Sequence, residues 1–209
     1  MFWTLTRGGG ARRARADRRR QQGTGRVSGV SALTFLPAAE NPHLLAAPVA
    51  AALAELDTAT AARIEVAAVD PALADTAAFC EAYGQGLDIS ANCLVVQGTR
   101  GGVTHTAACL ALATTRLDVN GAVRRLLDAR KATFASMDDA VSQTSMEYGG
   151  ITPLGRPAEW RLLIDARVAA LPRVIVGAGI RGAKLFLPGE VLASLPGAEV
   201  VEDLAKPVA

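Results

Sequence analysis

Histidine and cysteine are scarce in this 209-residue chain: two histidines, His43 and His105, and three cysteines, Cys80, Cys93 and Cys109. No C-x-x-C pair occurs, and the histidines lie far apart, so no ligand set at zinc-binding spacing can be assembled. An odd number of widely spaced thiols fits small core residues in a reducing cytoplasm rather than a disulfide framework. The patterns G-x-S-x-G, H-E-x-x-H and G-x-x-x-x-G-K-[ST] are all missing. That removes the nucleophile elbow, the zinc protease and the P-loop NTPase. Long apolar runs are missing too. The longest, Leu44 to Ala54, has eleven residues, mostly alanine, against the ~20 that a membrane-spanning helix needs. A soluble, cytoplasmic protein is the expectation.

What is present is a globular composition, 50% hydrophobic and 20% charged. The net charge of +2 conceals an asymmetry. Residues 1–26 hold eight Arg and one Asp, a sum of +7, so the remaining 183 positions carry fourteen Lys/Arg against nineteen Asp/Glu, or −5. The basic character belongs to the N-terminal stretch, and bulk charge gives no argument for nucleic-acid binding by the rest. With Gly8-Gly9-Gly10, the Arg12 to Arg20 cluster and no apolar periodicity, residues 1–30 read as a basic, disordered arm, and 31–209 as one domain.

Along that domain, Asn41-Pro42 reads as a helix start, followed by Leu44, Leu45, Val49, Leu53 and Leu56 at helical spacing. Ile64, Val66 and Ala68 alternate as a short strand. Thr76 to Tyr83 reads as a helix stopped by Gly84. Strands are expected at Ala91 to Gln97 and Val103 to Ala113, joined by a hairpin turn over Gly98 to Gly102. A helix over Asn120 to Asp128, a strand near Lys131 to Phe134 and a helix from Asp138 follow. Further strands are expected at Arg161 to Ile164, Val174 to Val176, Lys184 to Leu187 and near Val200, with a helix over Gly189 to Leu195. Without the even rhythm of a doubly wound sheet, the class is α+β: a single domain with a mixed, strongly curved β-sheet flanked by helices.

Three places have chemistry beyond a generic core. Tyr148-Gly149-Gly150-Ile151-Thr152-Pro153-Leu154-Gly155 is a constrained loop whose glycines permit close approach of backbone to a ligand, as an oxyanion hole requires. A tight structural turn is the alternative reading. Val176-Gly177-Ala178-Gly179-Ile180-Arg181-Gly182 ends a strand and offers Arg181 to a phosphate or carboxylate; it opens no long helix, which argues against a dinucleotide fingerprint. Asn92 begins a central strand and needs hydrogen-bond partners, from either the protein or a ligand. Arg124, Arg125, Arg130 and Lys131 are the one dense basic group in the domain, and a solvated face accounts for them.

From Asn41 to Leu204 the order of these segments resembles the YbaK/EbsC-type, prolyl-tRNA-synthetase-associated editing domains. The resemblance rests on Asn41-Pro42-His43, the strand at Asn92 with its hairpin to Leu112, and Leu127 to Ala135. It rests most specifically on the two glycine segments, Gly149 to Gly155 and Gly179-Ile180-Arg181-Gly182, in this order and separation.

The resemblance implies a trans-acting aminoacyl-tRNA deacylase, a carboxylic-ester hydrolase, which removes a small amino acid of the cysteine or alanine type from tRNA-Pro. It implies catalytic parts for Gly149, Gly150 and Asn92, and substrate contacts for Ile151, Thr152, Pro153, Gly177, Gly179 and Arg181. It calls for no cofactor and no metal, because the terminal ribose hydroxyl of the substrate assists the attack. The partners it implies are the acceptor end of an aminoacyl-tRNA and a cognate synthetase, with no membrane.

One departure stands out. Related domains usually carry lysine where this chain has Asn92. Loss of a charge-assisted bond to a developing anion costs ~2–4 kcal/mol, or ~10²- to 10³-fold in rate. The alternative expectation is therefore a non-catalytic tRNA- or nucleotide-binding relative, or a protein-interaction domain, that lost the reaction.

Overall fold

The computed structural model describes residues 32–208. The basic arm and the boundary expected near residue 31 lie outside the described residues. Eleven strands run in chain order: β1 Leu36–Pro37, β2 Glu65–Ala68, β3 Ala91–Arg100, β4 Val103–Leu112, β5 Thr115–Leu117, β6 Lys131–Phe134, β7 Arg161–Asp165, β8 Val174–Gly177, β9 Ala183–Leu187, β10 Ala198–Val201 and β11 Ala205–Pro207. The α-helices are α1 Ala47–Ala54, α2 Thr58–Ala61, α3 Thr76–Tyr83, α4 Arg124–Leu126, α5 Met137–Thr144, α6 Ala166–Ala169 and α7 Gly189–Ala193.

The mixed α and β content of a single domain is as expected, but the strands form separate sheets. A five-stranded mixed sheet has the order β10-β7-β4-β3-β6, with β10/β7 and β7/β4 parallel and the other pairs antiparallel. A four-stranded antiparallel sheet has the order β1-β2-β9-β8, and β11 pairs with β5 as a ribbon. The two larger sheets touch through one parallel bridge, Ser90 with Ile175, where Ile175 N–H donates to Ile89 O at 2.8 Å.

Strand alternation distributes the core. Leu162, Ile164, Leu110 and Val95 of the larger sheet meet Val66, Leu185, Leu187 and Val176 of the smaller one, together with Val49 and Leu53 of α1. The other face of the larger sheet packs Val96, Cys109 and Leu163 against Val123, Leu127 and Leu204. The outer face of the smaller sheet packs Ala67, Ile175 and Phe186 against Phe79 and Cys80 of α3. Because residues 107–112 of β4 are covered on both sides, that half of the strand is a continuous apolar run, whereas Val103 to His105 are exposed.

Three local expectations are corrected. The helix does not start at Asn41: Pro42–Leu44 is a 3-10 turn, Leu45 is extended (φ −125°, ψ 149°), and α1 begins at Ala47 with Pro48 in its first turn. The Asn41 side chain caps nothing downstream and donates to Pro37 O at 2.9 Å. The hairpin turn narrows to Gly101-Gly102, both at positive φ (58° and 82°), because Gly98 to Arg100 continue β3 in register with β4. Residues 119–123 form a π-helical turn before the short α4 rather than one α-helix. Among the described residues no helix is long and apolar enough to cross a membrane.

Candidate active site

The N-terminus of α3 is set by Asp75, whose Oδ1 accepts the N–H groups of Ala77 and Ala78 at 3.0 and 3.2 Å. The burial of Phe79 and Cys80 fixes α3 on the outer face of the smaller sheet. This brings its first turn beside the start of β3. There Thr76 Oγ1 donates to Asn92 Oδ1 at 2.7 Å.

The opposite side is a pair of interlocked backbones. Gly179 N–H donates to Gly150 O at 2.7 Å, Gly150 N–H to Glu147 O at 2.9 Å and Glu147 N–H to Gly179 O at 2.8 Å. A Cβ at Gly150 would lie 2.6 Å from Ile180 C and O, and a Cβ at Gly177 would lie 2.2 Å from Gly150 O. Only hydrogen fits at either position, so the two glycine segments named from the sequence are each other's packing partners.

Between these walls lies a cavity of about 530 Å³, within the ~300–1,000 Å³ usual for small-ligand sites. Asn92, Gly149, Ile151, Gly177 and Arg181 line it, alongside Asp75, Thr76, Cys93, Tyr148 and Lys184. Five of the nine residues named from the sequence therefore converge. The other four stand behind the wall. Gly150, Thr152, Pro153 and Gly179 are buried outside the lining, and the Thr152 hydroxyl makes no hydrogen bond there. Gly150 N–H is committed to Glu147, whereas the N–H groups of Gly149 and Ile151 have no protein acceptor among the described residues.

Arg181 is held as a clamp. Its guanidinium donates to Tyr148 O (3.2 Å) and Pro71 O (3.0 Å), and its own N–H donates to Glu147 Oε2 at 2.6 Å. Tyr148 and Leu87 form an exposed apolar rim, at 59% and 42% accessibility. Burial pushes the Cys93 thiol up to about 12, so it stays protonated and is a poor nucleophile. Neither histidine lines the cavity, and Asp75 is the one carboxylate that does. Among the described residues no group of three or more His, Cys, Asp or Glu is placed to hold a metal.

Sequence reading missed Asp75, Thr76, Tyr148 and Lys184 as cavity residues. A signal existed for three of them: Asp75-Thr76 is a helix-start pair, and Lys184 is the lone charge in the apolar strand Ala183-Lys184-Leu185-Phe186-Leu187. The basic group at Arg124 to Lys131 sits elsewhere. Lys131 pairs with Thr99 near the hairpin end of β3, seven positions from Asn92, or ~23 Å along a strand.

No curated protein matches the chain. Among solved structures, a candidate trans-editing enzyme for prolyl-tRNA synthetase shares the fold with a TM-score of 0.63 at 21% identity, covering 78% of this chain and 99% of that one. A hypothetical protein matches at TM-score 0.63 and 21% identity, covering 74% and 99%. A scaffold from computational epitope grafting does so at 0.63 and 22%, covering 78% and 97%. A family model for the aminoacyl-tRNA editing domain matches residues 70–195. That span begins at the turn before α3, ends after α7 and contains every wall of the cavity, and the chain belongs to the aminoacyl-tRNA editing domain family.

Proposed function

We propose that the chain is a trans-acting deacylase that hydrolyses the ester of a small amino acid, of the cysteine or alanine type, wrongly attached to tRNA-Pro in the cytoplasm. The observation that carries this reading is the convergence of Asn92, Gly149, Ile151, Gly177 and Arg181 on one cavity within the family-matched span. The aminoacyl ester enters the cavity, and the terminal base stacks on the rim at Tyr148, an interaction worth ~1–3 kcal/mol. Gly149 and Ile151, whose N–H groups lack protein acceptors, are the backbone donors for the carbonyl oxygen. Gly150 holds them in place rather than donating itself.

The proton moves through the substrate. As the family resemblance implies, the neighbouring ribose hydroxyl assists attack on its own ester; the absence of histidine from the cavity lining and the protonated Cys93 thiol agree with this route. No cofactor or metal enters this route. The acceptor end is the part of the tRNA recognised, and a cognate synthetase is the source from which the substrate is handed over. The test is single-turnover hydrolysis of Cys-, Ala- and Ser-tRNA-Pro beside correctly charged Pro-tRNA-Pro. Selective release of the small amino acids is expected. If none of the four esters is cleaved above the buffer rate while the folded protein still binds tRNA, the chain is the binding relative instead.

A further inference from the structure

All five residues of β9 are buried, and one of them is a lysine. Lys184 is 6% exposed, lines the cavity, and is paired across the sheet with Gly177 of its wall. Its Nζ donates to Ala74 O at 2.9 Å and stands 5.5 Å from the centre of the Phe79 ring. Among the described residues no carboxylate comes within ion-pair distance of it. The charged and titratable groups that face it are Asp75 and Cys80 of α3 and Arg181 of the loop before β9. Asp75 turns one carboxylate oxygen to the helix cap. Arg181 adds a like charge.

A buried ammonium with three hydrogens and one acceptor is an expensive thing to fold around. Desolvation, with Arg181 adding to it, holds the Lys184 pKa below the ordinary lysine range despite the opposing pull of Cys80 and Asp75. An anion entering the cavity would relieve both the missing bonds and the missing counter-charge. Asn92, at the start of β3, lines the same cavity. Its Oδ1 accepts from Thr76, and it brings no charge to the cavity.

We propose that Lys184 is an anion-binding cation of this site: from β9 it hydrogen-bonds an anionic oxygen at the 3′ end of the ligand, supplying a buried charge that the neutral Asn92 of β3 does not. The inference rests on the deacylase reading for the identity of that ligand. Two oxygens have the required charge: a phosphate oxygen of the last internucleotide linkage, and the oxyanion that develops on the ester carbonyl. A phosphate contact acts on KM, and an oxyanion contact acts on kcat.

The experiment compares wild type, Lys184→Met, Lys184→Gln and the double variant Asn92→Lys/Lys184→Met. Hydrolysis of Cys- and Ala-tRNA-Pro is read against concentration, and binding of the dinucleotide CpA and of adenosine is read by calorimetry. Lys184→Met is expected to lose ~10²-fold or more in kcat/KM, and Asn92→Lys is expected to restore at least tenfold of it. Loss in KM together with weaker CpA binding and unchanged adenosine binding marks the phosphate; loss in kcat alone marks the oxyanion. Lys184→Gln keeps a donor for Ala74 O without the charge and serves if Lys184→Met fails to fold. If Lys184→Gln matches wild type in both kcat and KM, the charge has no part in the site and the proposal is overturned, while the deacylase reading stands. If wild type cleaves nothing, the deacylase reading falls, and the CpA arm decides alone. Binding weakened tenfold in Lys184→Gln supports the anion seat, and equal binding overturns it.

Discussion

Gly177→Ala tests whether the two glycine segments hold the site together. The added Cβ would lie 2.2 Å from Gly150 O, 2.7 Å from Gly150 C and 2.8 Å from Ile151 O. A relaxed carbon contact needs ~3.5 Å, so the Gly149 to Ile151 backbone must retreat by roughly 1 Å. The retreat pulls on the 2.7 Å bond from Gly179 N–H to Gly150 O. Overpacking costs ~1–3 kcal/mol and a weakened buried hydrogen bond ~1 kcal/mol. A net loss of ~2 kcal/mol lowers Tm by ~4–8 °C in a domain of this size.

The functional loss should be larger than the loss of stability suggests. Gly149 and Ile151 would move with the loop, and a misplacement of ~1 Å at reacting groups costs ~10²-fold in rate. Gly182→Ala is the control: its Cβ would meet Pro71 Cγ at 3.7 Å and Val69 O at 4.0 Å, ordinary contacts on backbone without a positive φ. Thermal melting and single-turnover hydrolysis at a temperature where both variants are folded give the comparison. Gly177→Ala with wild-type Tm and wild-type rate would refute the reasoning, because the loop would then be positioned by something other than this contact.

Asp165→Ala should cost about 2 kcal/mol, since Asp165 accepts from Arg167 at 2.7 and 2.8 Å and from the N–H of Ala205 at 2.9 Å, tying β11 to the end of β7. Burial opposes its charge, but the Arg167 and backbone bonds outweigh it and hold its pKa below the ordinary value. Its stabilisation is therefore full above pH ~4 and is lost as pH falls through the lowered value; acid unfolding of Asp165→Ala should show a shallower slope there. Lys184 has the same slope for the opposite reason, since burial disfavours its charged form. With its folded pKa below 10.5, the unfolded chain binds more protons in that window, so stability should rise with pH toward 10.5 in wild type relative to Lys184→Met. Iodoacetamide at pH 8 should leave hydrolysis intact, because the Cys93 thiol is pushed up to about 12. Deleting residues 1–26 removes a formal +7 and should flatten the salt dependence of tRNA binding while Tm stays within 1–2 °C, roughly.

Where a segment's own residues carried the instruction, the sequence was readable. The helix over Thr76 to Tyr83 ends at Gly84 as expected, with Gly84 at φ +64°. Two strand-like segments either side of a glycine-rich turn marked the central hairpin of β3 and β4. Asn41-Pro42 misled because Pro42 and the leucine spacing also suit a helix, and the break at Leu45 comes from elsewhere: Ala46 N–H donates to Ala178 O at 3.0 Å, tying the chain to the second glycine segment. The strands β1, β5 and β11 are two or three residues long. They have no pattern of their own and exist through their partners.

The site divides along the same line. The residue types of Asn92, Gly149, Gly177 and Arg181 marked their segments before any fold was known, although a tight turn or a satisfied structural polar group uses the same types. The sequence alone thus pointed to the segments that line the cavity, which neither histidine joins. The tertiary structure decided which of those residues line the cavity. Gly150 N–H is consumed by Glu147, and Gly179 is turned into the wall, because two backbones 30 residues apart close on each other. It also brought Lys184 of β9 and Asn92 of β3 to one cavity, with α3 docked beside them and the sheets bridged at Ser90 and Ile175. Such convergence is set by the packing of elements distant in the chain, and no local pattern encodes it.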